Sequence, residues 1–124
     1  MKKNIIVIDD DPLVIKTIKK LLDKEGYSVD IAKTSKEGLE KCKLQDYHLI
    51  ICDVRMPEID GIELITEIKK YRKDANMLDI PVIFITGYAS EEAPINAIRL
   101  GAKDYVLKPF DMDKLLESVK NNLE

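Results

Sequence analysis

Apolar residues along this chain follow two alternating patterns. Short unbroken runs stop abruptly at polar residues: Ile-Ile-Val-Ile at 5–8, Leu-Ile-Ile-Cys at 49–52 and Val-Ile-Phe-Ile at 82–85. Each is too short for a helix and reads as a strand buried on both faces. Residues 28–32 and 105–107 read as two further short strands. Between the runs, apolar side chains recur at helical spacing: Val14, Ile18, Leu21 and Leu22; Leu39 and Cys42; Ile62, Ile65 and Ile68; Ala97, Ile98 and Leu100; Met112, Leu115, Leu116, Val119 and Leu123. These are the inward faces of amphipathic helices.

The punctuation agrees with this division. Asp11 caps the first helix with Pro12 at its first position, and Gly26 stops it. Thr34-Ser35 opens the second helix, and Pro57 makes the turn before the third. The polar stretch 72–79 reads as a surface loop. Ser90 with Glu91 and Glu92 opens a helix ending at Gly101, where Pro94 removes an early backbone donor and distorts or delays the first turn. Asp111 caps the last helix. Five strands alternating with five helices predict a parallel sheet covered on both faces, with right-handed crossovers: a doubly wound α/β sandwich formed by residues 1–124 as one domain.

Composition narrows the function. With 20 Lys and Arg against 23 Asp and Glu, the net charge of −3 argues against direct nucleic acid binding and against a membrane surface. No apolar stretch approaches the length needed to cross a bilayer, and residues 1–4 lead into a strand with no signal-peptide core, so the expectation is a cytoplasmic protein. Cys42 and Cys52 are too few and too poorly spaced for a zinc site or disulfide framework and read as small buried hydrophobes. His48, the sole histidine, reads as a strand-entry residue.

Parallel strands share a direction, so the polar residues ending them meet at one edge: Asp9 and Asp10, Asp53, Thr86 and Lys108. Three clustered carboxylates need a countercharge, because like charges a few ångström apart raise one another's pKa. Hard oxygen donors of this kind suit Mg2+, with Mn2+ as its substitute, and leave coordination positions for a phosphate oxygen. Carboxylates, a divalent cation, an ammonium and a hydroxyl together equip a site for phosphoryl transfer to an aspartate.

The chain resembles the receiver domains of two-component response regulators along nearly its whole length. The resemblance rests on Asp9-Asp10 after the first strand, Asp53 with Met56-Pro57 and Asp60-Gly61, Thr86, Gly101-Ala102 leading to Tyr105, and Lys108-Pro109-Phe110. It implies a flavodoxin-like sheet of strand order 2-1-3-4-5. It also implies that Asp53 is the phosphoryl acceptor, that Asp9 and Asp10 are the acidic pair with Asp10 the direct Mg2+ ligand, and that the Arg55 carbonyl is another ligand. Lys108 would pair with the phosphoryl group across a cis Lys108-Pro109 peptide. Thr86 and Tyr105 match the family's switch pair, acting on the face made by the helix after Ser90, the fifth strand and the last helix. Arg55 and Tyr88 occupy positions that the family varies, and are expected to tune how fast water removes the phosphoryl group.

The implied partners are a histidine kinase or phosphotransfer protein as donor, and either a downstream protein or an output domain as target. Phosphorylation-dependent dimerisation is left open. Such a module is a switch that assists its own phosphorylation and dephosphorylation, not a turnover enzyme. Two other readings compete. A haloacid-dehalogenase-type phosphatase would use Asp9 as nucleophile, but has Leu13 where Thr or Val is expected and leaves Asp53 without a purpose. A flavodoxin-like flavin binder would need a Ser-, Thr- and Gly-rich phosphate loop after the first strand, which this chain lacks.

Overall fold

The central strands are apolar throughout because alternate residues enter two different cores. In a computed structural model, the described residues are 2–86, 99, 101–108 and 111–124, with Thr86 described by its backbone alone. They form β1 (Asn4–Ile8), α1 (Pro12–Lys24), β2 (Ser28–Ala32), α2 (Ser35–Leu44), β3 (Leu49–Asp53), α3 (Gly61–Asp74), β4 (Val82–Thr86), β5 (Asp104–Leu107) and α4 (Met112–Leu123). The sheet is parallel, in the order β2-β1-β3-β4-β5. The helix expected from Ser90, its Pro94, and the Lys108-Pro109 peptide fall outside the described residues.

On one face, Ile5, Val7, Leu49, Ile51, Ile83 and Ile85 pack against Ile18 and Leu22 of α1 and Leu115 and Val119 of α4. On the other, Ile6, Ile8, Ile50, Cys52, Val82 and Phe84 pack against Cys42 of α2 and Leu64, Ile65 and Ile68 of α3. The caps are as expected: Asp11 accepts from the Leu13 amide, and Asp111 from the Asp113 amide. In α1 the burial is shifted by part of a turn, since Ile15 is buried while Val14 and Leu21 are half-buried. His48 is a strand-entry residue whose Nδ1 accepts from the Asn4 amide at 2.9 Å.

The expectation of a loop over 72–79 needs correction, because α3 continues to Asp74 and Arg72 is buried. Its Nε donates to the Leu78 carbonyl at 2.8 Å, and its Nη1 to the Cys42 and Gln45 carbonyls at 2.8 and 3.0 Å. Nη2 pairs with Asp46. One guanidinium therefore joins the end of α2, the α2–β3 turn and the α3–β4 turn, supplying donors to a carbonyl of the last turn of α2 and to two in the turns.

Asp46 is 68% exposed, so its ion pair is screened and the three carbonyl bonds dominate. Arg72→Met should cost about 3 kcal/mol by leaving those carbonyls without donors, whereas Asp46→Ala should cost about 0.5 kcal/mol. Urea unfolding of both variants checks this; equal losses would assign the stability to the ion pair instead.

Candidate functional site

The parallel sheet delivers the ends of β1, β3 and β5 to one edge, and with them Asp9, Asp53 and Lys108. Asp9 and Asp53 are buried, at 0% and 4% exposure, while Asp10 beside them is exposed. The acidic pair is thus two unlike groups. Asp9 has both oxygens engaged: Oδ1 accepts from the Asp11 amide at 2.9 Å and Oδ2 from the Lys108 Nζ at 2.8 Å. Asp53 is held more loosely. Its Oδ2 lies 3.4 Å from Lys108 Nζ, and its Oδ1 accepts a 3.4 Å bond from the Arg55 amide. Both contacts exceed ordinary hydrogen-bond lengths, so the Asp53 oxygens retain capacity for another partner.

The segment from Asp53 to α3 folds back tightly on the Asp53 backbone. The Gly61 amide donates to the Val54 carbonyl at 2.7 Å, and a Cβ at position 61 would lie 2.1 Å from the Asp53 carbonyl oxygen. Glycine is required there by close approach, with Asp60 capping α3 just before it. Met56 and Ile59 pack against the core, Arg55 and Glu58 face outward, and Glu58 sits at φ 70°. The buried Ser35 at the start of α2 donates its Oγ to the Ile59 carbonyl at 2.7 Å. Sequence reasoning took Ser35 only as part of a helix start; its partner, 24 residues away, leaves no local signal.

Burial, reinforced by the charge of Asp9, pushes the Asp53 carboxyl from 3.8 up to about 6 against the opposing charge of Lys108. Burial acts to lower the Lys108 pKa, but the hydrogen bond to Asp9 and the charges of Asp53 and Asp9 outweigh it, and the net shift is upward. The ammonium therefore stays charged. Tyr105 is half-buried against the core on the α2–α3 side of the sheet, and its hydroxyl is pushed up by burial. The nearby Arg55 charge lowers that value and the Asp53 charge raises it, which places Tyr105 within electrostatic reach of both. Cys52 is buried and its thiol pushed up by burial, which makes it inert. Cys42 is pushed up to about 12 by the same cause.

A divalent cation fits this donor set. Asp9, Asp10 and Asp53 each offer an oxygen, and these atoms lie within 4.8 Å of one another. Mg2+ takes oxygen ligands at about 2.0–2.1 Å, so these side chains would close around the ion on binding. Of the remaining expected residues, Thr86 ends β4 beside Leu107 of β5. Its side chain, and Tyr88, lie outside the described residues.

Comparison with known proteins decides the family. The response regulator receiver domain matches residues 5–120. The chain belongs to the response regulator receiver domain family. The receiver is 38% identical over 120 residues to the transcriptional regulatory protein ZraR of Escherichia coli K12, and 37% identical over 120 residues to CrdR of Helicobacter pylori. Each match covers 97% of this chain but 26% and 54% of the relative, so the chain spans about a quarter to a half of these proteins. A CheY-like receiver domain from Methanospirillum hungatei JF-1 superposes with a TM-score of 0.90 at 35% identity, covering 99% of this chain and 94% of that one. CheY4 of Vibrio cholerae superposes at 0.86 and 26% identity, covering 99% of this chain and all of that one.

The receiver therefore works in two-component phosphorelay signalling. Domains of this family generally act as phosphoacceptor switches, interact with histidine kinases and bind Mg2+ at the acidic pocket. Neither the phosphatase nor the flavin reading gains support. Among the described residues no helix is long and apolar enough to cross a membrane.

The strain at Asp53 has a measurable sign. Its proton is held more tightly in the folded chain than in the unfolded one, so its contribution to stability is complete below 3.8 and lost as pH rises through about 6. Asp53→Asn should therefore be more stable than the parent by about 2 kcal/mol at pH 7.5 without metal, with the curves converging toward pH 4. Urea unfolding in chelator at both pH values checks this; a variant less stable than the parent at pH 7.5 would contradict it.

Proposed function

We propose that Asp53 accepts the phosphoryl group. The supporting observation is its buried carboxylate, whose polar contacts among the described residues are both 3.4 Å long and which faces the Lys108 ammonium within the acidic cluster. In the transfer, an Asp53 oxygen forms a bond to phosphorus as the N–P bond of a phosphohistidine breaks and its electron pair returns to the imidazole. Lys108 neutralises charge on the phosphoryl oxygens from its position between Asp9 and Asp53. Asp9, pinned by Lys108 and the Asp11 amide, fixes the rear of the acidic cluster. Asp10, Asp53 and the Arg55 carbonyl, with Asp9 behind them, would hold Mg2+, with Mn2+ as the substitute. The bound ion supplies positive charge at the phosphoryl oxygens.

Thr86 and Tyr105 form the switch pair in this reading. Tyr105 lies within electrostatic reach of Asp53 and Arg55, which supports a route from the acceptor to the face containing β5 and α4. Arg55 and Tyr88 set the lifetime of the acyl phosphate by controlling water's approach. The donor is a histidine kinase or histidine phosphotransfer protein in the cytoplasm. The output is a protein contact or an attached domain, reached with or without dimerisation, and the chain makes no direct contact with nucleic acid or membrane. Residues 1–124 act as one receiver unit.

Incubation with acetyl phosphate and Mg2+ followed by intact mass measurement tests the assignment. The parent should gain one phosphoryl group, Asp53→Asn none, and Asp10→Ala should lose both labelling and Mg2+ binding. Full labelling of Asp53→Asn would overturn it.

A further inference from the structure

We propose that Ser35 is a positioning residue for the metal site, acting through the loop between β3 and α3. The inference rests on the reading of Asp9, Asp10, Asp53 and the Arg55 carbonyl as metal ligands. It deepens that reading by naming what holds the backbone ligand in place.

The loop from Val54 to Asp60 carries the Arg55 carbonyl and includes one residue in an unfavourable backbone conformation. Glu58 occupies left-handed backbone space at φ 70°, a conformation that disfavours a side chain with a Cβ. Two ties are internal to the segment: the Ile59 amide to the Pro57 carbonyl at 2.9 Å and the Gly61 amide to the Val54 carbonyl at 2.7 Å. The second closes the loop's two ends, where the Val54 amide also donates to the Ile85 carbonyl of β4 at 3.1 Å and Gly61 begins α3, so the ends are fixed and the stretch between them carries the Arg55 carbonyl. The Ser35 hydroxyl supplies a tie from outside, donating to the Ile59 carbonyl at 2.7 Å from a side chain that is 5% exposed.

Ser35 is itself anchored. Thr34 caps α2 by accepting from the Glu37 amide, and Ala32, three residues earlier, accepts from the Asp9 amide at 3.1 Å. A short path of hydrogen bonds and covalent chain thus runs from the Asp9 backbone through Ala32 and Ser35 to Ile59, then through Gly61 to Val54 and Asp53. The acidic end of β1 and the loop after β3 are tied to each other along the flank of the site, away from the ligands. In the fold, Ser35 sets the spacing between the carboxylates of β1 and the carbonyl of Arg55. Losing the hydroxyl removes that tie, and the loop relaxes about its strained Glu58 without any loss of a ligand.

Outer partners that orient metal ligands typically matter by tenfold or more in affinity. Calorimetric Mg2+ titration of the full chain, alongside thermal melts and amide exchange over residues 54–61, tests this. Ser35→Ala should weaken Mg2+ binding about tenfold and speed amide exchange in that loop, with little change in melting temperature. Ser35→Thr, which keeps the hydroxyl, should restore most of the affinity. Parental Mg2+ affinity in Ser35→Ala, while Asp10→Ala abolishes binding, would overturn the proposal and leave the metal-site reading standing. Equal losses in Ser35→Ala and Ser35→Thr would also overturn it, since the hydroxyl would then be irrelevant. Unchanged binding in Asp10→Ala would overturn the metal-site reading and this proposal with it.

Discussion

A carboxylate buried beside another carboxylate is the constraint on which this structure depends. Asp53 ends a strand that is buried over its whole length, and Asp9 follows the strand paired with it. Neither charge can be solvated from the sheet side, so the compensation must come from the open edge. Lys108, fed in from the end of β5, supplies it to both. That it sits 2.8 Å from Asp9 but 3.4 Å from Asp53 divides the work. Asp9 is neutralised and held, whereas Asp53 stays short of countercharge. A group left in that state gains most from a cation or an electrophile, and this is the chemistry that phosphoryl acceptance needs.

Much of the remaining architecture keeps that arrangement in register. Parallel pairing of β1 with β3 and of β4 with both β3 and β5 places the strand ends at one edge without any loop having to reach across. Two cores clamp the sheet from opposite faces, so a strand cannot slide by one residue without turning its apolar set inside out. Around Asp53, Gly61 lets α3 begin directly against the Asp53 carbonyl. Arg72, at the far end of α3, ties that helix to the end of α2. The loop carrying Arg55 is thereby framed by elements fixed at some distance from the chemistry.

The central strands, their parallel direction and the acidic edge were legible in the sequence because each rests on a local pattern, an apolar run stopped by a charged or hydroxyl side chain, whereas the strand order came only from the family resemblance. Asp9, Asp10, Asp53 and Lys108 could be brought together from that pattern alone. What escaped was the difference in burial between Asp9 and Asp10, since adjacent residues at a strand end point to different surroundings and only the fold says which one is buried. Arg72 was hidden in a run of charged residues, Lys69 to Asp74, that looks like a solvated surface. Its satisfaction comes from carbonyls at positions 42, 45 and 78, and no spacing rule connects those. Ser35 escaped for the same reason. A serine at a helix start has an ordinary local explanation, and its distant acceptor is visible only once α2 and the loop after β3 lie side by side.

The central claim is that Asp53 is poised by burial and by a shared, insufficient countercharge. Carbon-13 titration of the Asp53 carboxyl in metal-free protein measures this directly, in the parent and in Lys108→Met. The account predicts a midpoint near 6 in the parent, a higher one in Lys108→Met, and a marked fall when Mg2+ is added to the parent. A midpoint at the ordinary carboxylate value in the parent, unmoved by Lys108→Met or by Mg2+, would contradict it.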